Sequence, residues 1–405
     1  MFQKKSRFSI LIVLSIAQLF ALTLWFSVNA IIPQLTDIWS LSRSDIGMLS
    51  IVVQLGFVIG AFIASLLNIP DIFKAKNVFI GSALLGGVTN LLIAIVTLSF
   101  RSVLILRFFT GFFLAGAYPT GMKLIATWFQ KGRGFAIGVL VAALTLGSGL
   151  PYLFNLSGIP DWRLVLTFST VLSVISAILI HIFIDEGPYS GKPAKFELRQ
   201  IQRVFQNKAM RLANYGYFGH MWELYAMWVW IPVFLREIFL FKNPNADPTH
   251  FFAFGTFLVF LFGALATGFG GKLADKYGRV NFNIIMLIAS GFSSLVIGFT
   301  RSSPYIALFV AIVWGITIIP DSPQYSAMVS ELSDSEYIGT SLALQTAIGF
   351  LLTILSIQII PIFVTYVGWR YAFAILAIGP LFGGVSLLRL LKQTDSIEIA
   401  QGRKL

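Results

Sequence analysis

Twelve apolar stretches of about twenty residues each constrain this chain more than any other feature of its sequence. Each stretch is long enough to cross a hydrocarbon core of roughly 30 Å as a helix. Hydrophobic residues make up 57% of the chain and charged residues 11%, which leaves too few polar side chains to cover a soluble protein of 405 residues. We therefore expect an all-α integral membrane protein. Its predicted spans 1 to 12 lie near residues 9–31, 44–68, 77–99, 102–125, 134–156, 163–184, 212–235, 251–274, 281–300, 304–328, 338–360 and 369–391.

Lysine and arginine are distributed unevenly between the two sides of the membrane. If the spans alternate in direction, 20 of the 29 cationic residues lie on the side that carries both termini and seven on the other side. Because cationic loops are cytoplasmic, we predict cytoplasmic termini and a multi-pass protein of the inner (plasma) membrane of a bacterium. This topology accounts for the net charge of +12, so the expected partner is the lipid bilayer and not nucleic acid. The first apolar run lacks a small-residue cleavage site, which favours a retained span over a signal peptide.

The longest polar tract runs from Asp185 to Arg211 and separates six spans from six. We predict an N-terminal six-helix bundle over residues 1–184, a cytoplasmic linker over 185–211 and a C-terminal six-helix bundle over 212–405. Within the linker, FELRQIQRVFQ alternates apolar and basic residues at helical spacing, which is typical of a helix at the membrane surface. A solvated linker without that helix is the alternative.

Two landmarks occur once in each half of the chain. The hairpin GGKLADKYGRVN at 270–281 has a degenerate counterpart, LNIPDIFKAKN at 67–77, and their aspartates are 204 positions apart. A Trp-Arg pair opens span 6 at Trp162 and span 12 at Trp369, an offset of 207. Internal duplication in a membrane protein is typical of transporters, whose halves rock about a site near the midplane.

These motifs resemble those of the major facilitator superfamily, and the resemblance covers essentially the whole chain. GGKLADKYGRVN is similar to the signature hairpin between helices 8 and 9, and LILRFFTGFFLAGAYPTG to the helix-4 motif. GVLVAALTLGSGLPY resembles the helix-5 motif of antiporters only in part, because Pro151 alone remains of its Gly-Pro pair. The resemblance implies two pseudo-symmetric six-helix bundles that act as a monomeric transporter and not as an enzyme.

The hairpin is expected to form a latch at the cytoplasmic surface. The carboxylate of Asp275 is placed to accept hydrogen bonds at the start of span 5, close to Arg133. The first-half copy keeps its aspartate but lacks the glycines, so we expect the latch on the second half to be the stronger one. The alternative is a hairpin that only sets topology. The latch residues are Asp71, Arg133, Gly271, Asp275, Gly278 and Arg279.

Arg107 is a guanidinium in the middle third of span 4. Because insertion of such a charge costs about 2.5–3.5 kcal/mol, it should face a cavity or a carboxylate. We expect it to bind an anionic substrate and to take part in proton coupling. Alternatively, Arg107 lies near the outer end of the span and extends its side chain to the interface.

Span 7 contains two ionisable residues, His220 and Glu223, three positions apart on one helix face. A carboxylic acid in apolar surroundings beside an imidazole suits a proton relay, and Glu223 is the first candidate for the coupling residue. The alternative is that the two residues satisfy one another, or other helices, at a packed interface.

Further polar and aromatic side chains complete the predicted site. Pro320 and Pro323 should interrupt span 10 and free backbone carbonyls toward a cavity. Near this break Asp321 pairs with Lys123 of span 4 as a gate, or both residues simply contact cytoplasmic water. The predicted substrate-binding residues are Trp25, Asn29, Arg107, Trp222, Tyr225, Trp314 and Gln345. Tryptophan and tyrosine also form ordinary interfacial belts, and buried amides often only bridge helices.

The motifs that the sequence lacks narrow the energy source. It contains no P-loop, no HExxH, no His-rich cluster and no cysteine, so we expect no ATP, metal, cofactor or disulfide. An ion gradient remains. We predict a secondary active transporter that moves a small organic solute, with an organic anion favoured, by proton-coupled alternating access. Facilitated diffusion, proton-driven export of drugs or amphipathic compounds, and a transporter-like sensor or scaffold are the alternatives.

Overall fold

The computed structural model describes residues 6–67, 69–96, 99–129, 133–157, 161–189, 206–333, 338–394 and 399. These residues form helices and no strand, and twelve of the helical spans are long and apolar enough to cross a membrane. The predicted all-α fold with twelve spans is confirmed. Spans 1 to 12 are Arg7–Phe26, Arg43–Ala64, Ala75–Ile95, Phe100–Trp128, Gly134–Phe154, Trp162–Phe183, Lys208–Lys242, Thr249–Tyr277, Arg279–Thr300, Pro304–Leu332, Ser341–Val367 and Trp369–Leu390.

The chain divides into two compact units, residues 1–193 and 194–405. In the first unit, span 1 packs against spans 4, 5 and 6, span 4 against spans 2 and 3, and span 3 against span 6. The second unit repeats these pairings six spans later, with span 7 in the place of span 1. A duplicated sequence predicts such repeated packing. The surface helix predicted around residues 196–205 lies outside the described residues.

The residues that follow span 6 are anchored to the first unit. Asp185 Oδ1 lies 2.8 Å from Lys76 Nζ, and Glu186 Oε1 accepts a 2.9 Å hydrogen bond from the backbone N–H of Ala75. The indole N–H of Trp128 donates to the backbone carbonyl of Asp185. Carboxylates at the start of span 3 complement the positive end of that helix. The beginning of the predicted flexible linker is therefore bound to the bundle.

Span 6 shows how the helices are oriented. Its Ser169, Ser173 and Ser176 are buried, and the last two donate to the backbone carbonyls of Ala83 and Ala17 at 2.8 and 2.7 Å. Apolar side chains occupy its exposed face. This arrangement suits lipid, because a hydroxyl in hydrocarbon needs a partner within the protein.

Span 1 ends earlier than the sequence predicts. Its helix stops at Phe26, and a 3-10 turn at Asn29–Ile31 leads into a separate helix, Ile32–Trp39. The predicted end at residue 31 is wrong, because the apolar run continues past the helix and does not report where the hydrogen bonding stops. Pro33 lies in the first turn of the new helix, where its missing N–H is tolerated.

Span 10 is interrupted, as its prolines predict. It consists of two helices, Pro304–Ile318 and Ser322–Leu332. Pro320 cannot donate to the preceding turn, and Pro323 lies in the first turn of the second helix. The break places Asp321 at the start of that second helix.

Span 4 approaches span 2 so closely that Gly111 has no room for a side chain, since a Cβ there would overlap the backbone of Val53. We expect Gly111→Ala to lower the free energy of unfolding by roughly 1–3 kcal/mol, as overpacking of a core does. Denaturant or thermal unfolding in detergent measures this. Gly81→Ala on span 3 is the control, because a Cβ there meets nothing within 4 Å. Equal stability of the two variants would disprove the close contact.

Candidate functional site

Ionisable side chains that are almost fully buried are few. Among the described residues, the acidic, basic and histidine side chains that are at most 1% exposed are Arg107, His220, Glu223 and Asp321. Arg107 belongs to the first unit and the other three to the second. Charges at such depth are costly unless they are paired or serve a function.

Glu223 is held by two hydrogen-bond donors from neighbouring spans. Its Oε1 accepts from the indole Nε1–H of Trp314 on span 10, and its Oε2 accepts from the hydroxyl of Ser290 on span 9, both at 2.8 Å. Two donors on two oxygens suit an ionised carboxylate. Trp314, expected to bind substrate, therefore has its polar atom engaged by Glu223.

His220 contacts Asp321 across the break in span 10. Its Nδ1 lies 2.9 Å from Asp321 Oδ1, and both side chains are buried. His220 and Glu223 do not satisfy one another, because the two Glu223 oxygens are bound by Ser290 and Trp314. The other part of that alternative agrees with the structure, because each residue meets a partner on another helix. The alternative that Asp321 contacts cytoplasmic water is wrong, because Asp321 is 1% exposed.

Aromatic rings and an asparagine surround this pair. The Tyr325 ring lies 5.6 Å from the His220 ring and 5.9 Å from that of Tyr217, centroid to centroid. Asn283 of span 9 donates its Nδ2–H to the backbone carbonyl of Asp321 at 3.4 Å. Spans 7, 9 and 10 thus enclose one polar cluster within the second unit.

Arg107 binds the end of span 1. Its Nη1 and Nη2 donate to the backbone carbonyls of Leu24 and Trp25 at 2.9 and 2.5 Å. Because span 1 stops at Phe26, carbonyls in its last turn lack helical partners, and a cation complements that negative end. Arg107 is fully buried, so the alternative of a side chain extended to the interface is wrong. Its Nε–H has no partner among the described residues.

The other predicted substrate residues of the first unit lie near this end of span 1. Trp25 is 4% exposed, and its ring packs against that of Phe57 at 5.1 Å. Asn29 follows the helix, and its Nδ2 donates to the Ser50 hydroxyl at 2.6 Å, while its Oδ1 has no partner among the described residues.

The predicted substrate residues of the second unit lie in different environments. Trp222 donates its indole N–H to the backbone carbonyl of Ile375 at 3.3 Å, so it serves helix packing. Tyr225 is buried against the rings of Trp228 and Phe350. Gln345 is 1% exposed, and neither polar atom of its amide has a partner among the described residues. Gln345 therefore retains the most unused hydrogen-bonding capacity of these residues.

The hairpin after span 8 is tied to the end of span 10 by Arg279. Its Nη1 donates to Gln324 Oε1 at 2.6 Å, and its Nη2 lies 3.1 Å from Asp275 and 3.2 Å from Glu331. Gly278 has φ 89°, a left-handed backbone that favours glycine. Gly271 is buried within span 8.

The latch and the gate were both predicted to form between the two units, and both stay predictions. The latch pairs Asp275 with Arg133, and the side chains of Arg133 and Asp71 lie outside the described residues. The gate pairs Lys123, which is half-buried, with Asp321.

The sequence did not point to Ser290, Asn283, Tyr325, Gln324 or Glu331 as parts of these networks. Asn283 and Ser290 are seven positions apart on span 9, a spacing that places them on one helix face. That spacing was the available signal. Span 9 carries other polar residues on other faces, so the sequence alone does not single out this pair.

A family model described as the Major Facilitator Superfamily matches residues 14–357 and 245–404. The chain belongs to this superfamily. Its members are transporters and not enzymes, so the protein is a multi-pass membrane transporter. The predicted family is confirmed.

Curated relatives and a solved structure agree with this assignment. The chain is 26% identical over 296 residues to the probable sulfoacetate transporter SauU of Cupriavidus necator. The match covers 66% of this chain and 65% of the relative, which is slightly less than two thirds of the relative's length. It is 22% identical over 322 residues to the hexuronate transporter of Escherichia coli K12, covering 71% and 72%. The xylose transporter XylE from E. coli, in a partially occluded inward-open conformation, matches with a TM-score of 0.75 at 15% identity over 98% of this chain and 99% of that chain. The structural likeness shows the fold.

Proposed function

We propose that this protein is a secondary active transporter that moves a small organic anion by alternating access and couples that movement to protons. The observation that carries the proposal is Glu223, a fully buried carboxyl group held by Ser290 and Trp314 next to the His220–Asp321 pair. A proton-coupled carrier needs a group that gains and loses a proton as the side open to water changes.

Ser290 supports the proton-carrying role of Glu223. Its hydroxyl oxygen lies 2.8 Å from Glu223 Oε2 and 3.3 Å from the backbone carbonyl of Leu287. The hydroxyl can donate to an ionised carboxylate. When Glu223 is protonated, the same hydroxyl can accept from the acid and donate to Leu287 instead. Both protonation states of Glu223 then have a partner.

Arg107 supports an anionic substrate. Its neutral carbonyl partners leave the full positive charge of the guanidinium uncompensated within the described residues. A substrate carboxylate or sulfonate near this side chain would neutralise a charge that is costly in the membrane. Two relatives are named for the transport of sulfoacetate and hexuronate, which are both organic anions.

The topology of the proposal follows the charge pattern of the sequence. Both termini face the cytoplasm of a bacterium, and the protein acts as a monomer in the inner membrane. In the outward-facing state Asp275 meets the start of span 5 near Arg133. The gate between Lys123 and Asp321 is not part of this proposal, because Asp321 is buried against His220.

A thermal-shift screen of the purified protein tests the substrate class. The ligands are organic acids with a carboxylate or sulfonate, sugars, amino acids and cationic drugs, each at a matched concentration. A ligand at about 100 times its Kd stabilises the protein by roughly 2.7 kcal/mol. We expect organic acids to raise the Tm and neutral sugars of the same size to leave it unchanged.

The same screen, followed by uptake assays in proteoliposomes, separates the alternatives. Stabilisation by cationic amphipathic compounds alone would replace the organic-anion proposal with the drug-export alternative. A stabilising anion that proteoliposomes do not take up would favour a sensor. Uptake that ignores a pH gradient would leave facilitated diffusion.

A further inference from the structure

Four buried polar side chains meet at the break in span 10. His220, Asn283, Asp321 and Tyr325 are each at most 1% exposed. Within the described residues, His220 Nε2 and Asn283 Oδ1 have no hydrogen-bond partner. His220 Nδ1 and Asp321 Oδ1 lie 2.9 Å apart, and the Tyr325 hydroxyl interacts with Asp321 and Asn283. Buried polar atoms without a partner are costly, so a cluster that contains them suggests a function.

We propose that His220 and Asp321 together form a second proton-binding site, separate from Glu223, within the second unit. The proposal rests on the proton coupling proposed above and adds a site to it. One proton bound by the imidazole next to the ionised carboxylate gives an imidazolium facing a carboxylate, and the net charge of the pair changes from −1 to 0. Loss of that proton to water restores the starting state. No other bond is formed or broken.

Tyrosines, Glu223 and a neutral asparagine surround the His220–Asp321 pair. Span 7 contributes Tyr217 and Glu223, and span 10 contributes Tyr325, all titratable. Asn283 of span 9 is neutral. Spans 11 and 12 contribute Gly349 and Leu387 next to the tyrosines, and neither carries a charge. Arg279 of span 9 lies near the break, and its described contacts are with Gln324, Asp275 and Glu331. A proton on His220 is the cation that can neutralise Asp321 within the pair itself.

Glu223 is a separate site because its oxygens have their own partners. Ser290 and Trp314 donate to it, and neither contacts the His220–Asp321 pair among the described contacts. The two sites therefore have separate hydrogen-bond partners, and protonation of one acts on the other only through charge.

The location of the pair connects proton binding to the hairpin. Asp321 immediately precedes the second helix of span 10, and its carbonyl accepts from the backbone N–H of Gln324 at 2.9 Å. The side chain of Gln324 accepts from Arg279 at 2.6 Å. Loading or emptying the pair changes the charge at the break, one turn from the residue that Arg279 binds.

Histidine NMR tests the second site directly, because the chain has three histidines and the proton itself is the probe. His181 and His250 are exposed, so only His220 reports from the buried cluster. Full-length protein with labelled histidine, reconstituted in lipid, is titrated between roughly pH 5 and 9. We expect a His220 signal that changes with pH in this range, and His220→Gln removes that signal.

Three variants assign the partners of His220. Asp321→Asn should weaken proton binding at His220 about tenfold or more, because it removes the charge 2.9 Å away. Asp247→Asn, in the exposed segment between spans 7 and 8, should leave the His220 signal unchanged. Glu223→Gln should preserve a titrating His220. Thermal unfolding of each variant in detergent reports whether it is folded.

The outcomes are distinguishable from failure of the proposed function. A His220 signal that does not titrate, or that ignores Asp321→Asn in a folded variant, overturns the second site even if transport is proton-driven. Loss of the His220 titration in Glu223→Gln overturns its separateness. Titration of His220 in a protein whose transport ignores pH would preserve the proton site and remove the proposed coupling.

Discussion

Glu223→Gln is expected to abolish the accumulation of substrate driven by a pH gradient while exchange of substrate across the membrane continues. Glutamine keeps an oxygen that accepts from Trp314 and an N–H that can donate to Ser290, so the packing at the residue is preserved. It cannot bind or release a proton at physiological pH. The variant therefore removes the proton-binding group and keeps the hydrogen bonds around it.

Proteoliposomes with an imposed gradient measure this effect. If one proton accompanies each substrate molecule, a difference of one pH unit supports about tenfold accumulation, because 1.4 kcal/mol corresponds to a factor of ten. Glu223→Gln should reach only equal concentrations on the two sides.

Glu237→Gln is the matched control. It lies on the same span, and Glu237 Oε2 also accepts from an indole N–H, that of Trp369 at 2.7 Å, but it is only partly buried. We expect it to accumulate substrate like the wild type. Undiminished accumulation by Glu223→Gln would remove Glu223 from the mechanism, and equal losses in both variants would show that the effect is not specific to this site.

Arg107→Lys is expected to reduce both the stability of the protein and its affinity for the organic anion. The guanidinium reaches the carbonyls of Leu24 and Trp25 with two nitrogens at once, and an ammonium lacks that fork. Loss of one hydrogen bond from a charged group should cost about 1.5–3 kcal/mol in the free energy of unfolding. Loss of a bidentate contact with the substrate should weaken binding about tenfold or more.

Arg101→Lys on the same span is the control for this substitution, because Arg101 is exposed. Its Tm and anion affinity should match those of the wild type. Lower stability of Arg107→Lys with unchanged anion affinity would assign Arg107 only to the end of span 1. Wild-type values for both quantities would contradict the two roles.

The sequence predicts most of the fold because lipid constrains it strongly. Each apolar run long enough to cross the membrane becomes a span, and the break in span 10 follows from Pro320 and Pro323. The end of span 1 is the exception, since apolar residues continue through the 3-10 turn after Phe26. Hydropathy reports burial in lipid and not the end of helical hydrogen bonding.

The candidate site is predictable only in part. His220 and Glu223 are visible as charges inside an apolar run, but their partners depend on how spans 9 and 10 are rotated about their axes. That rotation places Ser290 on Glu223 and Asp321 on His220. In the same way, Arg107 meets backbone carbonyls only because span 1 stops where it does. The sequence alone shows neither the rotation of spans 9 and 10 nor the residue at which span 1 ends.

Gradient-driven uptake by the wild-type protein tests the central claim most directly. The purified protein is reconstituted with an organic anion that stabilises it, the outside is made acidic, and the membrane potential is held at zero. We predict an internal concentration at least about tenfold above the external one for each pH unit, lost when a protonophore is added. An anion that only equalises across the membrane, with or without the gradient, would contradict it.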